Sequence, residues 1–130
     1  MGDADHAEYG ADAETALITP VHCEIPEPGA PRIAGKQRVL LLRGSLAAGV
    51  YGAEDAFEEF RCSNELNRRY QPLFEQSDLR VTGVGDEGEA RVVELAGHPF
   101  FVGTLYLPQY SALQGETHPL IEAFLRAASA

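Results

Sequence analysis

The sequence predicts an α/β fold with a mixed sheet, assembled from hairpins and closed by a C-terminal helix. Three observations predict it. Residues 100–106 form an apolar, β-branched and aromatic run too short for an ordinary helix, and Pro108 stops that strand from continuing in the same ladder. Residues 78–84 and 90–95 alternate in polarity around a glycine-rich turn at 85–89, the signature of a hairpin. Residues 118–128 place Leu120, Ile121, Phe124 and Leu125 on one stripe, with Pro119 in the first turn of the helix.

Taken in order, residues 1–15 are small and acidic without a sustained apolar period and read as a loop. Residues 17–25 read as an edge strand interrupted by Pro20, and residues 26–31, with Gly29 inside, turn the chain. Two strands, 32–34 and 37–43, flank Gly35-Lys36 as a tight turn. Ser45 is an N-cap for a short helical turn, with Gly49 and Gly52 as stops. Residues 56–63 form a strand, and residues 67–76 a helix capped by Asn67 with Tyr70, Leu73 and Phe74 on one face. The 78–95 hairpin and the 100–106 strand come next. Residues 111–117 form a polar loop ahead of the last helix. Tyr51, Phe57, Phe60, Phe100 and Phe101 are core candidates. No linker divides the chain, so residues 1–130 are expected to form a single domain.

Composition removes several classes of function. A formal net charge of −10, with ten Lys and Arg that form no cluster, excludes a phosphate-binding surface. Neither nucleic acid nor an anionic membrane is an expected partner. No apolar run reaches the roughly 20 residues needed to cross a bilayer, and a start containing Asp3, Asp5 and Glu8 is unlike a signal peptide. The expected location is the cytoplasm. Two cysteines, Cys23 and Cys62, are too few for a disulfide scaffold and are expected to be buried thiols. His22, Cys23, Cys62 and His98 match no compact metal-ligand spacing, so no metal is expected. His98 and His118 each precede a proline and read first as turn residues.

The run His98-Pro99-Phe100-Phe101-Val102 and its continuation to Gln109 resemble the C-terminal part of class I glutamine amidotransferase domains, most of all the one fused to CTP synthase. There a similar strand ends in Phe-His-Pro-Glu, which supplies two members of a catalytic triad. Residues 3–9, residues 44–52 and His118-Pro119 resemble further segments of that domain, so the likeness extends over residues 3–127. It is also similar to standalone CTP synthase-related proteins. The resemblance implies a three-layer α/β fold of which this chain holds the C-terminal half, an incomplete domain with open strand edges and helix faces.

The family's chemistry needs a thiolate in a Gly-x-Cys-x-Gly turn, a histidine base and a carboxylate that orients it. At the matching positions stand Leu107 for the base and Gln109 for the carboxylate, and neither Cys23 nor Cys62 has the flanking glycines. Of the family's basic substrate-binding strand only Arg61 keeps its charge. Arg61 and His98 are the candidate ligand-binding residues, and no cofactor is implied. The expectation is therefore an amidotransferase-like protein without its triad, not an enzyme on its own, serving as an interaction or ligand-sensing module. Its expected partners are glutamine or a related small molecule, a second copy, or a complementary amidotransferase half. The alternative is a half-domain active only when a partner or N-terminal segment supplies the cysteine, with His98 or His22 as base and a link to pyrimidine metabolism.

Overall fold

The computed structural model describes residues 4–7, 12, 15–21 and 30–130. The elements are β1 (Ile18–Pro20), β2 (Ile33–Leu41), α1 (Leu46–Tyr51), β3 (Asp55–Cys62), β4 (Asn64–Leu66), a 3-10 turn (Arg68–Tyr70) leading into α2 (Gln71–Glu75), β5 (Leu79–Val84), β6 (Ala90–Leu95), β7 (Val102–Thr104), α3 (Tyr110–Leu113) and α4 (Pro119–Ala128). Five strands form one sheet in the order β3-β2-β5-β6-β7, with every neighbouring pair antiparallel. A separate antiparallel ribbon joins β1 to β4. The isolated bridge from His6 to Ile18 is parallel.

The α/β character expected from the sequence is present, and the 78–95 hairpin falls where its alternation put it. Residues 32–43 depart from expectation. They do not turn at Gly35-Lys36 but run on as the single long strand β2, paired residue for residue with β3. Gly35 adopts φ +89°, which its missing Cβ permits, and pairing continues on both sides of it. Opposite charges hold the register, with Lys36 facing Glu59 and Arg38 Nε 3.3 Å from Asp55 Oδ2.

Beyond β7 the chain crosses back over the sheet. Leu105 N–H donates to Arg91 O of β6 at 2.9 Å and Leu107 N–H to Glu59 O of β3 at 3.1 Å, so residues 105–107 link the sheet's two ends. The sheet is thereby curled. Inside it lie Val39, Phe60, Val92 and Tyr106, the most buried of the large side chains. A second cluster gathers Leu66, Phe74 and Ala90 against Leu17, Ile18, Leu79 and Val81.

Gly83 leaves no room for a side chain. It sits at a bulge in the β5–β6 pairing, and a Cβ there would lie 2.6 Å from Val92 Cγ2 and 3.2 Å from Val39 Cγ1. Those partners are buried and branched, so they have little room to yield. Gly83→Ala is expected to cost about 1–3 kcal/mol by overpacking, measured as a lowered urea midpoint at unchanged slope.

Capping accounts for the helix boundaries. Ser45 Oγ accepts from Ala48 N–H, and the Glu94 carboxylate accepts from Leu46 and Ala47 N–H at 3.1 and 2.8 Å, so side chains satisfy three amides of the first turn. Gly49 lies within α1 and does not stop it; the helix ends at Gly52. Asn67 caps as expected, but on a 3-10 turn, with Phe74 buried and Leu73 exposed. Residues 111–117 are not wholly loop, because α3 begins at Tyr110.

Three expectations about burial are corrected. Phe57 and Phe101 are largely exposed instead of in the core. Of the α4 stripe only Leu120 is buried, while Ile121, Phe124 and Leu125 are open to solvent. The 100–106 run is strand only over β7, and it lies at the sheet margin. Most of the 1–15 loop, residues 22–25 of the expected first strand and most of the 26–31 turn lie outside the described residues. Among the described residues, no helix is long and apolar enough to cross a membrane.

Candidate functional site

The corner that follows β7 is anchored from within. Tyr106, 2% exposed, turns inward, and its hydroxyl lies 3.0 Å from that of Tyr51 at the end of α1. Tyr51 also bonds to the Glu58 carboxylate of β3, which takes His118 Nε2 at 2.8 Å. The protons follow from the partners. His118 Nδ1 accepts from Leu120 N–H at 3.1 Å, so it carries no hydrogen and Nε2–H is the donor to Glu58. Tyr51 then donates to Glu58 and receives from Tyr106. Four separate segments are tied together by groups that satisfy one another. Burial pushes the Tyr51 phenol far above its ordinary range, with Tyr106 and Glu58 adding to the effect. Burial likewise raises Tyr106, with the bond to Tyr51 pulling the other way.

Leu107 and Gln109 lie on the outer side of this corner. Leu107 is half-buried and held through its backbone to Glu59, and Gln109 is exposed at the start of α3, with no side-chain cap bond. Next to them a cleft of about 510 Å³ is lined by Gly35, Glu59, Arg61, Tyr110, Leu113 and Gln114. Arg61 is exposed on its wall. The structure thus brings Arg61 to the same cleft as Tyr110, directly after Gln109.

His98 is elsewhere. It occupies the turn between β6 and β7, where its Nδ1 accepts from Phe100 N–H at 3.1 Å and its ring meets Phe101 edge-on. Cys62 donates its thiol to Leu105 O at 2.6 Å. Burial raises the pKa of that thiol, partly offset by the Arg61 backbone and by Arg91. A protonated, hydrogen-bonding thiol is a poor nucleophile. Cys23 and His22 lie outside the described residues, and among the described residues no three His, Cys, Asp or Glu side chains gather as a metal site would require.

No family model matches the chain. Its relatives are nonetheless consistent. It is 35% identical to the CTP synthase of Rubrobacter xylanophilus over 78% of this chain and 18% of that protein. It is 33% identical to that of Treponema pallidum over 98% of this chain and 22% of that protein. The Picosynechococcus CTP synthase is 30% identical over 98% of this chain and 24% of that protein. The glutaminase domain of Trypanosoma brucei CTPS, solved with bound acivicin, superposes with a TM-score of 0.84 at 21% identity, covering 98% of this chain and 51% of that one. The chain is related to the glutaminase domain of CTP synthase.

This CTP synthase-like chain spans a quarter or less of the length of those curated relatives. The buried Tyr51, Glu58, Tyr106 and His118 group was not singled out by the sequence, because its members come from α1, β3, the corner and the α4 cap, with no local spacing to connect them. Arg91 was missed for the same reason. It is buried with Nη2 2.8 Å from Glu89 Oε1, Nη1 3.8 Å from Glu65 Oε2 and its guanidinium over the Phe60 ring at 5.1 Å.

Proposed function

We propose that this CTP synthase-like chain is a non-catalytic, glutaminase-like module acting in the cytoplasm that binds a small molecule or a protein partner without releasing ammonia. The observation that carries the reading is Leu107. It occupies the position that resembles the triad base, and a hydrocarbon side chain accepts no proton. Gln109, at the position of the orienting carboxylate, has no charge with which to steady an imidazolium. The protonated state of Cys62 supports the same conclusion.

Arg61 favours retained ligand binding over a purely structural role, since its guanidinium borders an open cleft next to Tyr110. The ligand class is an α-carboxylate such as that of glutamine. Incubated with glutamine, the purified chain is expected to release ammonia at the rate of a protein-free blank, in a coupled glutamate dehydrogenase assay. Turnover clearly above that blank overturns the proposal. In the same samples, glutamine titrated by calorimetry is expected to bind, and Arg61→Ala to weaken that binding at least tenfold.

A further inference from the structure

Two opposite charges on β3 border one cleft. Side chains alternate along a strand, and since Glu58 and Phe60 are buried on the inner face of β3, Glu59 and Arg61 project together from the outer one. They sit two positions apart, about 7 Å along the strand. Both line the cleft of about 510 Å³ next to α3. Among the described residues neither side chain forms an ion pair or a hydrogen bond, with the other or with any third group. Arg38, Arg43, Arg68, Arg91 and Arg126, by contrast, each meet a carboxylate. Lys36 faces Glu59 in the β2–β3 register, but it is exposed and not part of the cleft's lining.

The rest of this space is largely apolar. Tyr110 and Leu113 have the helical spacing that puts them on one face of α3, and both line the cleft together with Pro31. Leu113 is 79% exposed, so its hydrocarbon has no cover. Gln114 also borders the cleft but is exposed. A carboxylate entering alone would meet Arg61 while being repelled by Glu59, and an amine alone would meet the reverse. A molecule bearing both charges satisfies both residues at once.

We infer that the cleft is a site for a zwitterionic α-amino acid with an aliphatic side chain, its carboxylate on Arg61, its ammonium on Glu59 and its hydrocarbon against Leu113 and Pro31. The inference rests on the proposed ligand role of Arg61 and adds two residues to it. Glu59 sets the charge preference and Leu113 the side-chain preference. Tyr110 offers an aromatic ring to the ammonium as well. Leucine fits this lining better than glutamine, because a carboxamide laid against Leu113 and Pro31 gives up its water for no buried partner.

The test titrates the isotope-labelled full chain and follows its amide resonances, a measurement that reads weak binding. Four probes are added in turn: leucine, glutamine, N-acetylleucine, which has no ammonium, and isoamylamine, which has no carboxylate. Leucine is expected to bind at least threefold more tightly than glutamine and at least tenfold more tightly than either stripped analogue. Glu59→Gln is expected to weaken leucine at least tenfold without weakening N-acetylleucine, and Arg61→Ala to weaken leucine as much without weakening isoamylamine. Leu113→Ser should remove the preference over glutamine. All three positions are exposed or half-buried, so the variants should unfold at the parent's midpoint. N-acetylleucine binding as tightly as leucine, glutamine binding more tightly than leucine, or leucine binding that Glu59→Gln leaves unchanged would each overturn the inference. In any of those cases, glutamine binding that still depends on Arg61 leaves the earlier ligand reading standing. No binding of any of the four probes overturns both. Ammonia released from glutamine defeats the non-catalytic reading alone.

Discussion

Glu58→Ala is expected to lower the unfolding free energy by about 2–4 kcal/mol, the range for depriving two buried donors of their shared acceptor. The carboxylate receives both the Tyr51 hydroxyl and His118 Nε2–H, and all three side chains are largely withdrawn from water. Truncation takes the shared acceptor from both donors, leaving His118 Nε2 only the Tyr51 hydroxyl at 3.2 Å and Tyr51 only the Tyr106 hydroxyl at 3.0 Å. A buried donor left unmet costs about 1–3 kcal/mol. Set against a typical total of about 5–15 kcal/mol, the variant stands close to the limit of folding. Glu58→Gln keeps one acceptor oxygen and should lose roughly half as much. Urea unfolding followed by circular dichroism reads both; a loss below about 1 kcal/mol for the alanine variant would mean that the group does not hold the corner in place.

High pH should unfold the chain more steeply than its composition suggests. Tyr51 and Tyr106 have folded-state pKa values raised above the ordinary phenol value of about 10. For a raised pKa, the contribution to stability is complete below the unfolded value and is lost as pH climbs towards the folded one. Below about pH 9 neither tyrosine changes the balance. Above about pH 10 the unfolded chain ionises both while the folded chain keeps them neutral, so each removes up to about 1.4 kcal/mol per pH unit. Absorbance of phenolate should show Tyr51 and Tyr106 ionising only as the fold is lost. Tyr51→Phe should roughly halve the alkaline slope. If all five tyrosines titrate before the far-ultraviolet signal changes, these two side chains are not shielded as described.

Local chemistry was legible in the sequence, and distant chemistry was not. The β5–β6 hairpin could be read because alternation and a glycine turn act over a few residues, and Ser45, Asn67 and Pro119 declared their helix starts in the same way. Gly35-Lys36 misled because a glycine that usually ends a strand here takes its positive φ inside one, with pairing to β3 continuing on either side. His118 is a helix cap of an uncommon type, using Nδ1 where serine or aspartate would use oxygen. At the site, Leu107, Gln109 and Arg61 could be named from their neighbours in sequence. The cleft beside Arg61 and the tyrosine pair under the corner depend on the sheet curling, which no short window records.

That curl sets an order of events during synthesis. Strands β2 and β3 can zip together as soon as residue 62 has left the ribosome, but the loop that fastens Glu59 to Leu107 must wait for about forty-five further residues. Until then the Phe60 ring stands beside a gap that Tyr106 will later fill. The nascent chain therefore passes through an interval in which its greasiest lining is uncovered, and a slow stretch of translation there would lengthen its exposure to chaperones and to sticking.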